Sequence, residues 1–144
     1  MPDVLKKWEK IISFESILVD LTFHSQKVII GLYYRPPNCN EFYDLFDQQF
    51  NSISHRKNII LIGDFNSDLS ANTTSNSVEM KKLLIQQQLH NVIKEPTRII
   101  STTKTLLDLC ITSKKEIILK CGVYDPGIAD HRLIFAITKL RKKI

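Results

Sequence analysis

Ile59-Ile60-Leu61-Ile62-Gly63-Asp64-Phe65-Asn66 decides how the rest of this chain is read. Four consecutive branched apolar residues ahead of a glycine predict a short strand buried on both faces. The sharp turn that closes it leaves Asp64 and Asn66 at the strand's C-terminal tip. In α/β proteins that end of a strand is where ligands bind. Asp and Asn are also ordinary turn residues, so the stretch alone reads as readily as a plain turn, and more is needed to make it a site.

Upstream, Ile17, Val19 and Leu21 alternate with Ser16, Leu18 and Asp20. After the polar turn His24-Ser25-Gln26-Lys27 comes Val28-Ile29-Ile30-Gly31-Leu32-Tyr33-Tyr34, so the two strands form an antiparallel hairpin. The second strand ends in Tyr34-Arg35-Pro36-Pro37. The double proline cannot continue a ladder and sets Tyr34 and Arg35 at a strand tip. Asn40 caps a helix with Phe42, Leu45, Phe46, Gln49, Phe50 and Ile53 at helical spacing, and this is core packing. Residues 1–13 mix charged and apolar side chains and do not read as a complete element.

Downstream, residues 67–77 are polar and without period, which reads as a loop. Asn76 with Glu79 resembles a capping box for a helix bearing Met80, Leu83 and Leu84. Asn91-Val92-Ile93 is a short strand candidate, followed by Thr97-Arg98-Ile99-Ile100. Leu106-Leu107-Asp108-Leu109-Cys110-Ile111-Thr112 predicts a strand with one acid in its middle, and burying that carboxylate unpaired costs several kcal/mol. Its partner is sought further on, where Asp130-His131 sits in a turn before the last strand, Leu133–Ile137.

At 144 residues, 43% hydrophobic and 24% charged, the chain is an ordinary one-domain globular sequence, which excludes disordered and collagen-like classes. Twenty Lys+Arg against fifteen Asp+Glu give +5 and a pI near 9.1, which favours polyanionic partners. Three cysteines without a close pair suggest neither a disulfide framework nor a zinc site. No leader or membrane-length apolar run is seen, so the expected location is intracellular, nuclear or cytoplasmic, with no membrane partner. The sequon Asn72-Thr73-Thr74 is then read as chance.

Asp64, Asn66, Asp108, Asp130, His131 and Tyr34 are polar and nearly all lie at or beside strand ends. Acidic oxygens with one histidine and no thiolates suit a hard cation, Mg²⁺ or Mn²⁺, and phosphoryl chemistry. Arg35, beside Tyr34, is placed to reach the same anion.

Tyr34-Arg35-Pro36-Pro37, Ile60-Leu61-Ile62-Gly63-Asp64-Phe65-Asn66, Leu106-Leu107-Asp108-Leu109 and Ala129-Asp130-His131 follow in the order and spacing of the endonuclease/exonuclease/phosphatase superfamily. The pattern is most similar to the apurinic-like endonuclease domain of non-LTR (LINE, jockey-type) retrotransposons, from about Glu15 to about Ile137. The resemblance implies an α/β fold, the C-terminal portion of a four-layer sandwich of two mostly antiparallel sheets flanked by helices. It spans residues 14–140 as a partial domain, with 1–13 as a lead-in.

It further implies that Asp64 activates water, that Asn66 and Tyr34 position the phosphate, that Asp108 partners His131, and that Asp130 with Asp64 serves the metal. DNA is the implied substrate and Mg²⁺ or Mn²⁺ the implied cofactor. Ala129 stands where the family usually has serine. The family's early strands, with an asparagine and a metal-binding glutamate, have no counterpart, and Glu9, Glu15 and Glu41 are not in that motif's context. The expectation is a weak or inactive endonuclease with an uncovered apolar sheet face open to self-association or a partner. The alternatives are a dead remnant that binds nucleic acid or protein, and a small-phosphoester phosphatase of the same superfamily.

Overall fold

The computed structural model describes residues 5–11, 14–23 and 25–140, with side chains described from residue 14 onward. Its strands are Leu5–Ile11 (β1), Phe14–Phe23 (β2), Gln26–Tyr34 (β3), Ile59–Asp64 (β4), His90–Asn91 (β5), Arg98–Ile100 (β6), Thr103–Thr105 (β7), Asp108–Thr112 (β8), Ile118–Tyr124 (β9) and Leu133–Thr138 (β10). Helices Phe42–Ile53 (α1) and Ser75–Gln86 (α2) lie between β3 and β5.

Six strands form one sheet in the order β1-β2-β3-β4-β8-β5, while β9–β10 and β6–β7 are separate antiparallel pairs. Within the six-stranded sheet only β3 and β4 run parallel, with α1 as their crossover. The lead-in thus contributes an edge strand, since β1 pairs with β2 from Leu5↔Asp20 to Ile11↔Phe14. The expected β2–β3 hairpin is present, turning at Ser25 with φ 68°; His24 lies outside the described residues.

Strand alternation gives the sheet two unlike faces. On one, Phe14, Tyr33, Phe42, Phe46, Phe50 and Phe65 are all buried and meet in stacked and edge-on pairs with centroids 5.1–6.4 Å apart. Such pairs add about 0.5–1.5 kcal/mol each beyond area burial. The Tyr33 hydroxyl donates to Gln49 Oε1 at 2.5 Å, and Gln49 donates to Ser16 Oγ at 3.0 Å, fixing α1 against β2 and β3. Gly63, at φ 151°, is dictated by this face: a Cβ there would lie 1.9 Å from the Tyr33 carbonyl oxygen.

The opposite face is covered over only part of its extent. Cys121, Val123, Ile134 and Ala136 of β9–β10 pack into the core, and Thr138 and Leu140 close a cavity with Leu21, Val28 and Ile30. Val28 is therefore 1% exposed, and Val19, Leu21 and Ile30 are half-buried. Toward the other end the face opens, with Ile17 36%, Leu32 53% and Tyr34 45% exposed. Of the residues expected to be bare, Ile17 is, at the β2–β3 end that carries Tyr34, while Phe23 is 46% exposed at the opposite end of β2.

Several local expectations shift. Glu41, without a side-chain cap bond, takes the N-cap of α1 in place of Asn40. Thr74 caps α2 by accepting from Ser77 N at 3.3 Å, because Asn76 Oδ1 instead accepts from Arg35. Asp108 opens β8 and is not in its middle: Leu107 C=O still accepts Phe65 N–H in register, but Leu107 N–H is taken by the Thr97 hydroxyl, so the ladder ends there.

Candidate active site

The register sets Glu15, Tyr34, Asp64 and Asp108 side by side across β2, β3, β4 and β8, in one row on the open face. Glu15, Tyr34 and Asp64 line a cavity of about 230 Å³ with Ile17 and Leu32. The antiparallel bridge between Arg98 and His131 brings the turn before β10 to this row. His131 Nδ1 lies 2.9 Å from Asp108 Oδ2, which answers the buried-carboxylate question raised by the sequence. Ligand-type atoms of Asp64, Asp108 and His131 lie within 4.8 Å of one another.

Burial is the largest influence on Asp64 and raises its carboxyl above the ordinary 3.8. Nearby Asp108 adds to the rise, and the Asn66 N–H, His131 and Arg98 oppose it. The result is a carboxylate more basic than a solvated one, next to an imidazole held by a second carboxylate. Hard oxygen donors with one nitrogen at this spacing fit a small divalent cation that keeps several waters. Asp64 and Asp108 are the residues that would hold it.

Asn66, at φ 45°, gives its backbone N–H to Asp64 Oδ1 at 3.0 Å and its side-chain amide to the Arg35 carbonyl at 2.8 Å. Arg35 requires correction. It is 0% exposed and does not reach the cleft. Its Nε donates to Cys39 O at 2.9 Å, Nη1 to Asn66 O at 2.9 Å, and Nη2 to Asn76 Oδ1 at 3.1 Å. Its backbone N–H reaches Asp64 O at 2.8 Å, and its guanidinium lies 5.1 Å from the Tyr43 ring centroid. Consecutive residues at a strand end face opposite ways. Tyr34 therefore sits at the cleft while Arg35 braces the Asp64–Asn66 turn from beneath.

Asp130 also differs from expectation: its carboxylate is outside the Asp64–Asp108–His131 group and accepts from Arg98 Nε at 2.7 Å. That bond is the main cause of its lowered pKa. The sequence reading missed Thr97. Its buried hydroxyl accepts the N–H groups of Leu107 at 3.1 Å and Asp108 at 2.9 Å, while its carbonyl accepts Arg132 N–H at 2.7 Å. One residue thereby ties the backbone at Asp108 to that at Arg132, next to His131. Only its place between Pro96 and the Arg98 strand hinted at a fixed position.

The endonuclease-reverse transcriptase family model matches residues 27–135, which contain every one of these groups except Glu15. The chain belongs to the endonuclease-reverse transcriptase family. Its fold is that of the endonuclease/exonuclease/phosphatase superfamily. The endonuclease domain of TRAS1, a telomere-specific non-LTR retrotransposon, superposes with TM-score 0.79 at 14% identity, over 98% of this chain and 70% of that one. A 3′ phosphatase from Neisseria, bound to a product DNA hairpin, gives 0.66 at 12% identity, over 96% of this chain and 71% of that one. The inositol polyphosphate 5-phosphatase domain of SPsynaptojanin, holding inositol (1,4)-bisphosphate and calcium, gives 0.61 at 12% identity, over 93% of this chain and 53% of that one. No curated protein sequence matches the chain. Among the described residues of this endonuclease-reverse transcriptase family member, no helix is long and apolar enough to cross a membrane.

Proposed function

We propose that the chain is a divalent-metal-dependent phosphodiesterase acting on DNA, with Mg²⁺ or Mn²⁺ as cofactor. The observation that carries the reading is the meeting of Asp64, Asp108 and His131 within 4.8 Å in a chain of this family. Asp64, made more basic by burial, takes the proton of the attacking water, and Asn66 holds that carboxylate in place. With both ring nitrogens protonated, His131 donates Nδ1–H to Asp108 and has Nε2–H to donate to a phosphate oxygen. Tyr34, half exposed in the same row, supplies a phenol to the phosphate. A bound divalent cation supplies charge neutralisation at the phosphate.

Asp130 stays on Arg98 in this scheme, outside the Asp64–Asp108–His131 group. The basic charge of +5 supports a polyanion over a small phosphoester. Nicking of supercoiled plasmid in Mg²⁺, set beside phosphate release from inositol phosphates, tests the substrate class. Slow nicking that stops with chelator and in Asp64→Asn is expected, with no phosphate release. Phosphate release without nicking would move the chain to the phosphatase reading. Neither activity, with DNA still bound, would leave a binding module.

A further inference from the structure

Arg35 is sealed inside the fold, but the rim of the cleft carries another arginine. Arg98 opens β6, and its backbone bridges that of His131. Its side chain is 39% exposed, with only Nε engaged, on Asp130 Oδ2 at 2.7 Å. The other four of the guanidinium's five N–H donors have no hydrogen-bond acceptor among the described residues. The charge is close enough to Asp64 to act against the rise of its carboxyl. Asp130 holds the head in one orientation, since its backbone C=O also accepts Ile99 N–H at 3.0 Å.

We infer that Arg98, oriented by Asp130, is the residue that grips a backbone phosphate of the bound nucleic acid beside the Asp64–Asp108–His131 site. A planar guanidinium pinned at Nε presents its paired outer N–H groups in the fork that matches two phosphate oxygens. Asp130 is then a positioning residue for Arg98. The pair is exposed enough that its worth to folding is small, so its geometry is available to a ligand.

This assignment rests on the DNA reading, and the test separates the two. Binding of a short fluorescent DNA duplex is measured by anisotropy in EDTA, from about 50 to 200 mM salt. Arg98→Gln is expected to weaken binding about tenfold near 0.1 M salt and to reduce the slope of log K against log salt by about 0.9, the signature of one lost phosphate contact. Arg98→Lys and Asp130→Asn are expected to keep the wild-type slope, because the positive charge remains. An Arg98→Gln slope equal to wild type overturns the assignment and leaves the DNA reading standing. So does an Arg98→Lys or Asp130→Asn slope that falls as far as that of Arg98→Gln, which would mark the pair as structural. A wild-type chain that binds no duplex overturns the DNA reading and this assignment with it.

Discussion

The two faces of the six-stranded sheet are built from the same strands and differ in almost every other respect. Tyr33 and Tyr34 are neighbours in β3, yet Tyr33 is 2% exposed beneath α1 and Tyr34 is 45% exposed at the cleft. On the helix face a close-packed aromatic cluster and the sealed guanidinium of Arg35 supply stability and set the backbone at Asp64 and Asn66. The open face bears Tyr34, Asp64 and Asp108 in one row, and there burial, with the charge of Asp108 beside it, disfavours the Asp64 carboxylate at a cost to stability. Stability and chemistry are thus divided by strand alternation, with the rigid face positioning the reactive one.

The harshest test of that division is Gly63→Ala. The new Cβ would meet the Tyr33 carbonyl oxygen at 1.9 Å and would hold an unfavourable φ. A loss above about 4 kcal/mol is expected, abolishing the cooperative melt followed by circular dichroism. Next come the two arginines. Arg35→Met leaves four acceptors without their donor, removes the Tyr43 contact and should cost about 3–4 kcal/mol in urea unfolding, whereas Arg98→Met should stay within about 0.5 kcal/mol. Equal losses would erase the distinction between brace and rim. A third pair contrasts the apolar residues: Leu61→Ala should cost about 2–5 kcal/mol and Leu32→Ser within about 0.5 kcal/mol, since Leu61 is fully buried and Leu32 is 53% exposed.

The smallest effect has the opposite sign. The folded state raises the Asp64 pKa above 3.8, so whatever stability its proton confers is present below 3.8 and is lost as pH rises through the raised value. At neutral pH in EDTA, Asp64→Asn keeps an oxygen to accept Asn66 N–H and removes the charge facing Asp108. Its melting midpoint should exceed wild type there, and the gain should vanish below pH 3.8. A variant that melts lower at neutral pH would show that Asp64 is held by attractions stronger than its burial.

Much of this architecture was legible in the chain. The Ile59–Ile62 run with Gly63 announced β4 and its tip, because a strand buried on both sides leaves a continuous apolar signature. The alternation through Ile17 and Val28 announced the hairpin. In the sequence Leu106 and Leu107 look like ladder residues and set Asp108 in mid-strand, whereas their N–H groups go to the side chains of Asp68 and Thr97. Adjacency in the sequence puts Arg35 beside Tyr34, although a period of two implies opposite faces. The same adjacency joins Asp130 to His131, while its partner Arg98 lies 32 residues away and nothing local reveals it. The place of Glu15 in the cleft row depends on strand register, which sequence patterning leaves open on a face that is partly bare.

The central claim, that one end of the open face is a divalent-cation site, is tested most directly by Mn²⁺ binding followed by electron paramagnetic resonance. Wild type, Asp64→Asn, Asp108→Asn and the helix-face variant Gln49→Ala are compared. The account predicts one saturable site in wild type and Gln49→Ala, and its loss in both aspartate variants. Binding that survives both aspartate substitutions, or a wild-type chain that takes up no Mn²⁺, would contradict it.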